Sequence, residues 1–155
     1  MLYPSVHHDL VELADLVREA PELTAALLRE VVAKACPRVA SAGRGERSAR
    51  IERLLEAGAT ADAALALLEL ELPNWQVRRL AYDGGEWHCA LSRERELPDW
   101  LDQAVEARHA NLALAIVTAL VEVRQVASPV SRPSVPTVGR KATVQYVPMC
   151  CDNFV

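Results

Sequence analysis

His88 and Cys89 set an imidazole beside a thiol, the residue types that serve as base and nucleophile in covalent catalysis. Neighbours on a strand point to opposite faces, so within EWHCALSR these two cannot hydrogen-bond as a pair. A dyad would need the fold to bring His7, His8 or His109 to Cys89. Zinc would draw on four His and four Cys, but no C-x2-C or H-x3-H spacing occurs, and the adjacent Cys150 and Cys151 suit one tetrahedral ion poorly. The glycines of AGRGER (42–47) lack the Lys-Ser/Thr ending of a P-loop and the strand that precedes a dinucleotide loop, leaving anion binding at a helix start as its chemistry. Glu94, Glu96, Asp99 and Asp102 could perform acid–base work, although turn and helix-dipole roles explain them more simply. Trp75, Trp87 and Trp100 fall close together with Tyr82, as either a binding surface or a core between hairpin and helices. The candidate ligand- or partner-binding residues are therefore Trp75, Trp87, His88, Arg93, Trp100 and His109, with no catalytic residue, metal ligand or cofactor assigned.

The elements that would position them follow from periodicity. Val6, Leu10, Leu13 and Val17 stripe one helix, and Leu23, Leu27, Leu28, Val31 and Ala35 stripe a second that ends at Pro37. Ile51, Leu54 and Leu55 mark a third helix, stopped by Gly58. The fourth, TADAALALLELEL, is apolar over too wide an arc for one-sided exposure, so it is central or meets a partner on a second face. Residues 75–82 and 86–93 flank Asp83-Gly84-Gly85 and read as a β-hairpin. A turn centred on the glycines sets Tyr82 opposite Trp87 and Leu80 opposite Cys89; a turn one residue earlier sets Leu80 opposite Trp87. Either register groups Arg78, Leu80 and Tyr82 on one face and Trp75, Val77 and Ala81 on the other. From Pro98 to about Val126 the stripe Leu101, Val105, Leu112, Ile116, Leu120 and Val123 reads as one long helix, long enough to reach a partner or form a dimer seam.

The fold class expected is α+β and predominantly helical: about four short helices, the hairpin, and a long C-terminal helix. Residues 1–127 form one domain, and 128–155 read as a Pro-rich extended tail with a strand-like stretch at 142–147. The chain carries 17 Lys and Arg against 21 Asp and Glu, an acidic balance that argues against a nucleic-acid binder. A local excess of arginine at Arg38, Arg44, Arg47, Arg50 and Arg53 reads as a solvated face paired with neighbouring glutamates. No apolar run approaches the length of a bilayer span. The start MLYPSVHHDLVEL lacks the basic region of a secretory signal, and the cysteines lack framework spacing, which together point to the cytoplasm.

The segment from Trp75 to Val123, with EWHCALSR and LPDWLDQ as its distinctive parts, resembles a set of small uncharacterised bacterial proteins. That resemblance implies no activity, so no residue role is carried over from it. The broad aliphatic surface suggests a non-enzymatic interaction or regulatory protein, a homo-oligomer or a subunit bound to a protein partner. The alternative is a small-ligand binder or small enzyme with a pocket between the hairpin and the last helix.

Overall fold

The computed structural model describes residues 3–43, 45–93 and 104–127, the first three as backbone only. Five helices come first: α1 (Tyr3–Glu19), α2 (Ala25–Ala35), α3 (Pro37–Ser41), α4 (Glu46–Glu56) and α5 (Thr60–Glu71). Strands β1 (Gln76–Asp83), β2 (Glu86–Ser92) and β3 (Val105–His109) follow, then α6 (Leu112–Val126). This is an α+β fold in which α6 packs against α1 and α5 and against the sheet.

Local chemistry sets most boundaries. Thr24 opens α2, its hydroxyl accepting from the Leu27 N–H at 3.2 Å and satisfying one of the orphan donors of a helix start. Pro37 ends α2 and then serves as the first residue of α3, where its missing N–H costs nothing. Gly58, at φ +77°, follows the end of α4 in the left-handed conformation. Gly84 and Gly85 both have positive φ (60° and 92°), which closes the hairpin with Tyr82 opposite Trp87 and Leu80 opposite Cys89.

Two features depart from the periodicity. The stretch Val105–His109 is not part of the last helix but a strand, antiparallel to β2, with Val105, Ala107 and His109 buried and Glu106 and Arg108 exposed. Spacings of four and seven residues from Leu101 through Val105 to Leu112 imitate a helical stripe, but the free edge of β2 supplies a ladder that overrides local propensity. The helix that remains has 15 residues, about 22 Å at 1.5 Å per residue. Asn111 opens it, its side chain accepting from the Leu114 N–H at 3.3 Å. The second departure is a bulge in β1 between Val77 and Arg79, which turns Val77 onto the same face as Leu80 and Tyr82.

Most of the aliphatic surface is covered within the chain. In α6, every residue from Ala113 to Val121 is buried, and Val123 as well. In α5, Ala63, Ala64, Leu67 and Leu68 are buried while α4, α3 and α6 pack around it. The width of these stripes therefore reflects central positions in one core, and assembly is not needed to bury them. The large apolar side chains left exposed among the described residues are Val6, Val11, Leu16, Leu80, Tyr82 and Val126.

Candidate functional site

The sheet, in the order β1-β2-β3, has two unlike faces. Ladder register assigns Val77, Leu80, Tyr82, Trp87, Cys89, Leu91, Val105, Ala107 and His109 to one face. The β2 and β3 part of that face meets α6, and Cys89, Leu91 and Ala107 are buried there. Toward the hairpin tip it is open: Tyr82 is 61% exposed and Leu80 37%, with Trp87 half-buried beside them. The Tyr82 and Trp87 rings are tilted by 54° with centroids 5.2 Å apart, an arrangement worth about 0.5–1.5 kcal/mol beyond burial.

The opposite face carries Arg79, Ala81, His88, Ala90, Glu106 and Arg108. His88 Nδ1 lies 3.4 Å from Glu106 Oε1, and Arg79 Nη2 lies 3.4 Å from the same oxygen. The carboxylate orients the imidazole, as it would in an acid–base dyad. Cys89 cannot serve it as a nucleophile, since it points the other way and is fully buried, and Ser92, the hydroxyl on this face of β2, stands four residues from His88. As ion pairs in a partly exposed setting these contacts contribute little to stability.

The six candidate residues are thus divided. Trp87 and His109 are ladder partners on the α6 side. His109 is buried, and its Nδ1 accepts from the Asn111 N–H at 2.8 Å, so in the neutral ring the proton sits on Nε2. It fixes the turn into α6. His88 belongs to the opposite face. Trp75 is half-buried ahead of β1, with the Arg93 guanidinium 6.0 Å from its ring centroid, at the outer limit of a cation–π contact. Trp100 lies outside the described residues, as do Glu94, Glu96, Asp99, Asp102 and the 142–147 stretch.

No family model matches this sequence, and no curated protein or solved structure is significantly similar to it. Function must be read from the geometry. Among the described residues no three His, Cys, Asp or Glu side chains converge as a metal site, and no helix is long and apolar enough to cross a membrane.

Sequence reasoning missed the most tightly built polar cluster. Glu71, at the end of α5, has a fully buried side chain. Its Oε2 accepts from the Val39 N–H at 3.1 Å, satisfying a donor in the first turn of α3. Its Oε1 lies 3.3 Å from Arg124 Nη2, close enough for an ion pair although the angle falls short of a hydrogen bond. Arg124 Nε donates in turn to the Ala35 carbonyl at 2.9 Å, capping the last turn of α2. One carboxylate and one guanidinium therefore tie α2, α3, α5 and α6 together. The signal in the sequence was slight, because Glu71 is one of two glutamates alternating with leucines at the end of α5.

Cys36 lies in this cluster. Burial first, and the Glu71 charge second, push its thiol up to about 12 against the opposing pull of Arg124. Burial alone pushes Cys89 up to about 11. Neither is a ready nucleophile, since the thiolate is the reactive form. In a chain carrying Cys150→Ser and Cys151→Ser, maleimide at pH 8 is expected to leave the folded protein unmodified and to label both thiols once denaturant is added. Rapid labelling of the folded chain would contradict their burial. Both values are raised above the usual 9, so their contribution to stability is complete below pH 9 and is lost as pH rises through 11 to 12.

A separate groove, of about 520 Å³, opens between α2, α3 and α4. It lies away from the contact of the sheet with α6.

Proposed function

We propose that this chain is a non-enzymatic protein-interaction module that associates with a second copy of itself along β1. The observation carrying this reading is the exposed strand. β1 runs for eight residues at one edge of the sheet, without a ladder partner on its outer side among the described residues, and it exposes Leu80 and Tyr82 beside Trp87. An open edge offers main-chain donors and acceptors to an added strand, and a flanking Tyr–Trp pair supplies the kind of anchor that dominates interface energetics. Pairing two β1 edges would give one continuous six-stranded sheet and bury both aromatic pairs.

Sedimentation at increasing concentration tests this. A dimer mass is expected for the native chain, and Tyr82→Ala is expected to raise the dissociation constant by about 30-fold, the equivalent of a hot-spot loss of about 2 kcal/mol. A native chain that stays monomeric at millimolar concentration would overturn the reading.

The second reading, a small-ligand site, draws on the imidazole that Glu106 holds beside Arg79. It predicts that His88→Ala abolishes ligand binding while leaving the mass unchanged, whereas the first reading predicts that Tyr82→Ala changes the mass.

A further inference from the structure

We infer that the groove between α2, α3 and α4 is the seat of an aliphatic, basic, extended peptide segment, and that residues 130–141 of this same chain occupy it. The apolar lining of the groove is made by Leu28 and Val32 of α2, Val39 of α3, and Ile51 and Leu55 of α4. Its volume of about 520 Å³ falls in the range of about 300–1,000 Å³ found for sites that bury a specific ligand. The lining holds no aromatic ring, so its recognition is by aliphatic shape, which suits Val and Pro side chains.

The rim carries two carboxylates on α4 against one guanidinium, Arg29 of α2, and is therefore net negative. Glu52 and Glu56 stand four residues apart on one face of α4 and line the groove. Neither makes a hydrogen bond or ion pair among the described residues. Two like charges at this spacing repel and destabilise the helix, an effect that cations laid across them would reverse.

Residues 130–141, VSRPSVPTVGRK, match both demands. Val130, Val135 and Val138 alternate with prolines, and Arg132, Arg140 and Lys141 give the charge. Residues 128–155 carry a net charge of +2, while residues 1–127 carry −6. The chain also leaves α6 in the right place: Arg124, one helical turn before Ala127, bonds the Ala35 carbonyl at the end of α2, two residues beyond the groove-lining Ala33. An extended Pro-rich segment advances about 3.1 Å per residue, so the stretch from 128 to 141 has a reach of about 40 Å.

The test uses the full chain with Cys150→Ser and Cys151→Ser, a nitroxide on Ser134→Cys, and methyl NMR; Cys36 and Cys89 are fully buried and stay unlabelled. The expected result is loss of the Val32, Ile51 and Leu55 methyl signals, with those of Val11 and Leu16 on the outer surface of α1 retained. Glu52→Lys with Glu56→Lys, both exposed positions, should restore the lost signals. Unchanged groove methyls, or broadening spread equally over α1, would overturn the inference. So would equal broadening when spin-labelled chains are mixed with separate isotope-labelled chains, because the occupant would then be a second copy. Tyr82→Ala leaves the groove intact, so failure here is distinct from failure of the β1 interface.

Discussion

Arg124→Ala is expected to remove about 3 kcal/mol of stability, seen as a lower denaturant midpoint with an unchanged slope. The guanidinium is partly accessible, but the carboxylate it faces is fully buried. Its loss leaves the Glu71 charge with only the Val39 N–H, and the Ala35 carbonyl loses its donor in the same step. The cost is that of stranding a charge in a low-dielectric place, not that of a surface ion pair, which is worth about 0–1 kcal/mol. The double variant Glu71→Leu with Arg124→Leu should therefore cost less than the two single changes together, because no charge is left behind. Glu71→Gln keeps an acceptor for the Val39 N–H and should fall between native and Glu71→Ala. A loss below about 1 kcal/mol for Arg124→Ala would mean that water reaches Glu71 and that the four helices are not tied through it.

Leu120→Ala is the second large effect, at about 2–5 kcal/mol. Leu120 is fully buried in a helix surrounded by α1, α5 and the sheet, so neighbours on several sides would have to move to refill the void. Leu16→Ala on α1, where the side chain is 45% exposed, should change stability by no more than about 0.5 kcal/mol. A small cost at Leu120 would show that α6 can relax toward solvent, as a helix at the surface of the molecule would.

Patterns confined to a few neighbouring residues were legible in the sequence. The opposed directions of His88 and Cys89 follow from strand alternation, and the hairpin itself was marked by its two glycines, whose positive φ then decided between the two registers left open. Where a second segment decides the outcome, local pattern failed. Val105–His109 has the composition of a helix, and β2 made it a strand. The β1 bulge moved Val77 across the sheet, and a single inserted residue leaves no mark in alternation. The breadth of apolar residues in α5 and α6 could not distinguish a helix buried by its own chain from one waiting for a partner. Glu71 and Arg124 are 53 positions apart, and no local rule joins them. Of the candidate residues, Trp87, His88 and His109 lie in the strands, and the pairing of His109 with Trp87 required β3 to be seen.

The placement of α6 has a consequence for synthesis on the ribosome. Gln125 reaches back to the Leu10 carbonyl and Arg124 to Ala35, spans of 115 and 89 positions. The helices α1 to α5 emerge first, with the surfaces that face α6 still uncovered, and the last helix must clear the exit tunnel before that core can close. Until then the nascent chain displays leucine and valine stripes to its surroundings. Truncations ending before Leu112 keep those stripes uncovered and should be recovered as aggregates or degraded fragments.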